Sequence, residues 1–177
     1  MRGTNRILRA LLAVGLVLAL QACAEGTVDD GDSANVVLVI GTFPPIPPIT
    51  TTNEEGVCVF QLPTGVSVTL VSLPKSELAE SPMSDAVIDS VSVTYSWDDG
   101  LVVGPVEMSA AGLVPCDAQG TVSFLPIRYG DMTADRAGHS ANVMVTFRGK
   151  LVDGTAVESL PGPPGGATLS VESCSVL

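Results

Sequence analysis

The chain has 177 residues, 19 acidic against 8 basic, and a formal net charge of −11. A field of that sign repels phosphate backbones and disfavours nucleic acid as a partner. Four cysteines are too few for a disulfide-built scaffold, and aromatic residues make up only 4%, so a core must come from aliphatic, largely β-branched side chains.

The first segment has a basic start (Arg2, Arg6, Arg9), an apolar run from Ala10 to Leu20, and then Gln21-Ala22-Cys23. Basic residues, an apolar stretch and small residues in that order form an export signal. The apolar run falls short of the roughly 20 residues that a bilayer-spanning helix needs. Leu20-Gln21-Ala22-Cys23 resembles the lipobox of bacterial lipoproteins, with an aliphatic residue three positions before the cysteine and a small one directly before it. The resemblance implies cleavage after Ala22, lipid on Cys23, and a mature chain tethered to a membrane through at least two acyl chains. Two chains anchor stably where one holds only marginally. In a cell with two membranes, Ala24 is similar to the outer-membrane sorting pattern.

Removal of residues 1–22 takes away three arginines and no acidic residue, leaving 155 residues with 19 acidic against five basic side chains, a formal charge of −14. That length suits a single domain able to bury its own core. Residues 23–35, acidic and nearly devoid of apolar side chains, read as a flexible tether. Asp29, Asp30 and Asp32 there lack the later ligands that an EF-hand loop requires. The domain is expected over 36–177.

Val36 to Ile40 is a short apolar run fit for a buried strand. Phe43-Pro-Pro-Ile-Pro-Pro-Ile49 cannot continue it, because its prolines lack N–H donors and favour an extended path. Thr50 to Gly56 reads as a polar loop. Val57–Leu62 and Val66–Leu73 read as strands on either side of a hairpin-like Pro63-Thr64-Gly65 break. Lys75–Glu80 has room for one or two helical turns. Val91, Val93, Tyr95 and Trp97 alternate with Ser90, Ser92, Thr94 and Ser96, the signature of a half-buried antiparallel strand. Asp98-Asp99-Gly100 turns into a strand at Leu101–Val106, and Thr121–Ile127 forms another before a loop from Tyr129 to Gly138. Ser140 to Leu160 is the strongest hairpin, with Ala141, Val143, Val145 and Phe147 on one face and an Asp153-Gly154 turn. A closing strand runs from Ala167 to about Cys174.

Eight or nine short strands with regular turns predict an all-β fold, an antiparallel β-sandwich, with a small β-barrel as the alternative. Ala137–Phe147 followed by Val152-Asp-Gly-Thr resembles the last hairpin of bacterial immunoglobulin-like or fibronectin-type domains, which implies an immunoglobulin-like sandwich and no particular activity.

Cys58, Cys116 and Cys174 remain after Cys23 is assigned to lipid, and three thiols allow one internal bridge from three possible pairs. A bridge using Cys174 would secure the terminal strand. Their wide spacing does not resemble zinc or CxxC redox motifs. His139 is the only histidine, and no Gly-x-Ser-x-Gly elbow offers a serine for it to activate. Asp98-Asp99 and Glu54-Glu55 fall in turns or loops. Asp131 and Asp135 beside Tyr129 offer a candidate calcium or active loop, with an ordinary solvated loop as the preferred reading.

No cofactor or metal site is therefore expected, and no enzyme activity. The sequence points to a lipid-anchored envelope protein with a binding or structural role, reaching the membrane through Cys23 and an envelope partner through loops or sheet edges. The alternatives are a surface hydrolase or carbohydrate-binding module, which would need Tyr95 and Trp97 exposed in a cleft, and a calcium-stabilised adhesin-like module.

Overall fold

The computed structural model describes residues 34–55, 57–76 and 82–174. The export signal, the lipobox with Cys23, the tether up to residue 33 and most of the Lys75–Glu80 segment lie outside them. Ten strands are described: β1 (Val36–Thr42), β2 (Thr50–Glu54), β3 (Val57–Gln61), β4 (Val66–Pro74), β5 (Ala86–Trp97), β6 (Val102–Val114), β7 (Gln119–Phe124), β8 (Ser140–Leu151), β9 (Ala156–Glu158) and β10 (Gly162–Ser170). Three single 3-10 turns, at Pro82–Ser84, Tyr129–Asp131 and Ala134–Arg136, are the only helical elements among the described residues.

The fold is all-β, antiparallel and sandwich-like, as the alternating sequence requires. Its two layers come from one curled sheet rather than two separate ones. The strand order is β1-β4-β7-β6-β5-β8-β10, with β9 also on β8. One side of β8 is taken by β5 along its whole length. The other side is shared, Arg148–Lys150 pairing with β9 and Ser140–Val145 with β10. Curling brings the far edge home: Leu38 of β1 bridges Ser159, and the Leu160 N–H donates to Leu38 O at 2.9 Å. Ser159 is buried at this seam. Its Oγ accepts the Phe147 N–H and donates to Leu160 O, each at 3.0 Å. This contact covers part of the β1 edge, whose unpaired donors and acceptors would otherwise invite aggregation.

The Pro-rich segment after β1 lies against the core. Ile46 and Ile49 are buried, and the Phe43 ring meets Phe124 edge-on at 6.2 Å. Phe124 in turn meets Phe147 at 5.5 Å. Such edge-to-face pairs contribute roughly 0.5–1.5 kcal/mol beyond the area they bury. The rest of the core is largely aliphatic, with Leu38, Leu70, Val91, Val93, Val143 and Leu169 fully buried beside Tyr95 and Trp97.

Three sequence expectations are corrected. Thr50–Glu54 is a strand, β2, held by β3 through a register running from Thr50↔Gln61 to Glu54↔Val57. Pro63-Thr64-Gly65 does not make a hairpin, because β4 pairs with β1 and β7 and leaves β3 to β2. The strand expected at Leu101–Val106 runs on to Val114 through Pro105. The register steps from Val93↔Val106 to Tyr95↔Val103, so Gly104 and Pro105 together face one residue, Thr94. This bulge leaves Pro105, which has no N–H, without a ladder bond to make. Gly104 has φ +123°, and a Cβ there would lie 2.6 Å from Val93 O, so glycine is needed. A second irregularity at Asp89 explains why Ala86 and Ile88 share the buried face with Val91 and Val93 despite the odd spacing.

Candidate functional site

The loops at the end of the sandwich where β5 finishes and β8 begins gather most of the polar chemistry. Trp97 of β5 pairs with Ala141 of β8, and this register sets the turn after β5 against the residues leading into β8. Asp98 and His139 are thereby brought together from 41 positions apart, with the His139 Nδ1 2.6 Å from Asp98 Oδ1. The second carboxylate oxygen accepts the Ser140 N–H at 2.9 Å and the Ser140 hydroxyl at 3.0 Å. These donors hold the Asp98 carboxyl down to about 2, the His139 bond contributing most and the Ser140 backbone next.

Beside this pair, Arg136 lies over the Trp97 ring, its guanidinium carbon 5.1 Å from the ring centroid. Its terminal nitrogens reach Asp99 at 2.9 Å and Asp135 at 2.7 Å. The Arg136 side chain is only 9% exposed, so a cation is held on the face of an aromatic ring between two carboxylates. Asp135 is drawn down to about 2 by the Thr133 hydroxyl and then by Arg136. Asp99 is lowered chiefly by the Leu101 backbone N–H, which it accepts at 3.0 Å.

From His139 the network continues into the C-terminal segment and the β2–β3 hairpin. Gly138 donates its N–H to Val171 O and Glu172 O, and the Val171 N–H donates to His139 O. The Glu172 N–H donates to Ile49 O, and the Thr51 hydroxyl donates to Ser173 O. Cys58 of β3 then forms a disulfide with Cys174, their Cα atoms 6.0 Å apart. Of the three cysteine pairs left open by the sequence, this one uses Cys174 and fastens the terminal segment to the hairpin. Cys116 lies outside that bond, half-buried after β6, its N–H donated to Asp85 at 2.8 Å.

The arrangement constrains chemistry. A Ser–His–Asp relay needs the imidazole between serine and carboxylate, so that the ring can take the hydroxyl proton. Here the Ser140 hydroxyl is given to Asp98 itself, so Ser140 does not enter such a relay. Asp131 is 3.0 Å from Arg128 and Asp135 is bound to Arg136, so the two carboxylates of the candidate calcium loop each hold a guanidinium. Among the described residues no three His, Cys, Asp or Glu side chains come together as a metal site. Tyr95 and Trp97 are 1% and 5% exposed, too buried for a sugar platform. The Tyr95 hydroxyl donates to Pro126 O at 2.8 Å, and burial pushes its phenol well above the usual tyrosine range.

A shallow hollow of about 340 Å³ lies along the side, lined by Thr64, Gly65, Ser109, Ala110, Ser123 and Phe124 among others, and it gathers no charged group. Compared with known proteins, the chain matches no family model and no curated protein sequence.

Proposed function

We propose that this is a lipid-anchored protein of the bacterial cell envelope whose β-sandwich serves binding or structural organisation rather than catalysis. The observation that carries the proposal is Leu20-Gln21-Ala22-Cys23 at the end of a basic-then-apolar leader. If the cell has two membranes, Ala24 after the cysteine favours the outer one. The non-catalytic part is supported by the loop end of the sandwich, where the ionic groups of the His139 and Arg136 clusters engage one another rather than converging on a cleft. That end, with the β2–β3 hairpin fastened beside it, is the rigid surface on which a partner would be recognised. The resemblance of the β8–β9 hairpin to immunoglobulin-like domains belongs to the same reading, since sandwiches of that kind present their loops at the two ends.

Metabolic labelling with a clickable fatty acid tests the anchor. The wild-type chain is expected to carry the label and to lack residues 1–22, and Cys23→Ser is expected to lose both the label and the processing. Labelled Cys23→Ser would overturn the anchor. In-cell crosslinking from probes at Asp99 and Glu55 tests the recognition surface, with a discrete envelope partner as the expected product; recovery of uncrosslinked protein alone from both positions would overturn it.

A further inference from the structure

Resting on the lipid-anchor reading, we propose that the end of the sandwich opposite the polar loop cluster lies directly on the lipid surface, so that the body is seated on the membrane and not merely leashed to it. The chain enters the described body at Ala34, and the Lys75 N–H donates to Asn35 O at 2.8 Å where β1 begins beside the end of β4. The start of β5, the end of β6 and the end of β8 lie at this same end, through the pairs Ala86↔Val114 and Ala86↔Leu151.

Five aliphatic or thioether side chains are left about half in water there: Leu73 at 46%, Met83 at 52%, Val87 at 48%, Leu113 at 51% and Val152 at 51% exposure. Val87 faces Leu113 across one strand pair and Lys150 across the other. The Asp153 N–H donates to Met83 O, and the Val152 N–H to Asp85 O, which draws the turn after β8 against the same patch. Both lysines of the chain, Lys75 and Lys150, belong to this end, whereas the three arginines of the described body are each paired with carboxylates elsewhere. Two of the acidic groups here accept backbone N–H bonds, Asp85 from Cys116 and the exposed Asp153 from Thr155, while Asp117 stands exposed beside them.

What selects lipid as the occupant is the chain that leads in. Cys23 and Ala34 are eleven residues apart, a span of at most about 40 Å. A tether of that length holds the nearby patch at an effective concentration on the order of millimolar against the bilayer, so a contact too weak to act alone becomes occupied. Leucine, methionine and valine over lysine are the side chains that enter the headgroup boundary, the lysine stems reaching up to the polar layer. The contact is carried by apolar side chains rather than by ion pairs, so it should persist at high salt.

The experiment uses the full lipidated chain in phosphatidylcholine vesicles, in a Cys116→Ser background, with an environment-sensitive fluorophore at Val152→Cys or, at the opposite end, at Leu101→Cys. Brominated phosphatidylcholine is expected to quench the label at 152 several-fold more than the label at 101, in low salt and high salt alike. Val87→Glu with Leu113→Glu should bring the two to the same level while the acyl mass and the melting curve stay as they were. Equal quenching in the parent would overturn the contact, with the anchor still shown by the acyl mass. A chain without acyl mass would overturn the anchor, and the seated contact with it. Shielding of the 152 label that rises with concentration in an unlipidated Cys23→Ser chain would overturn the lipid in favour of a second copy.

Discussion

Breaking the Cys58–Cys174 bond gives the sharpest test of how the hairpin end is held. The two cysteines are 116 positions apart, so the bond closes most of the described chain into one loop. In the chain-entropy model a loop of that size removes enough freedom from the unfolded ensemble to stabilise the folded state by about 5 kcal/mol. For a domain of this length that corresponds to a fall in Tm of roughly 10–20 °C when both cysteines become serine. The urea m-value should rise in the double variant, because an unlinked unfolded chain exposes more surface. The native consequence is local. Without the bond, the β2–β3 hairpin and the C-terminal segment remain joined by the Ile49–Ser170 and Glu172–Ile49 backbone bonds and by Thr51 on Ser173 O. Hydrogen exchange should therefore accelerate first in β2 and β3, while β5 and β8 stay protected. Matched urea melts of Cys58→Ser/Cys174→Ser and wild type, with exchange read by mass spectrometry, make the measurement. A loss below about 1 kcal/mol would refute the loop-closure reasoning. A disulfide-linked peptide containing Cys116 would refute the pairing itself.

Three further outcomes are expected. Phe147→Ala removes a fully buried ring packed against Phe124 and should cost about 3–5 kcal/mol in equilibrium unfolding. Tyr95→Phe deletes the buried bond to Pro126 O and should cost about 1–3 kcal/mol, with the fold unchanged by circular dichroism. Asp98 has its folded pKa lowered to about 2, so its stabilising effect is complete above the unfolded carboxylate range and disappears as pH falls from about 4 toward 2. Asp98→Asn should accordingly be less stable than wild type at neutral pH, with the difference shrinking over that acid window; a difference constant from pH 7 to pH 2 would rule out this role for Asp98.

Much of the sheet was legible because half-buried antiparallel strands must alternate. Val91 to Trp97 and Ala141 to Phe147 alternate cleanly in sequence, and both rows face the core. What was illegible depends on partners remote in the chain. Thr50–Glu54 has no apolar face of its own and is a strand only because β3 lies beside it. The strand read over Leu101–Val106 gives no local sign that it continues to Val114, or that Gly104 and Pro105 bulge opposite Thr94. The break at Pro63-Thr64-Gly65 looks like a hairpin because nothing local announces that β1 and β7 have already claimed β4.

The polar cluster at the loop end is hidden in the sequence for the same reason. Asp98-Asp99 reads as a turn, His139 as a lone histidine without a serine partner, and Asp135 as part of a loop, and none of these local readings joins the others. Their meeting follows from one register, Trp97 opposite Ala141, which turns two separate loops into neighbours. The usable signal was in the strands rather than in the charged residues. Two apolar alternating rows that both run inward invite pairing, and the antiparallel pairing that sets Trp97 against Ala141 carries Asp98 to His139 and Ser140. Arg136 is then held over the buried Trp97 indole, between Asp99 and Asp135. The same strand directions put the start of β5 and the end of β8 at the opposite end, where the chain enters. The register that assembles the polar loops therefore also sets Val87 and Leu113 at the far end of the same strands from Asp98 and His139.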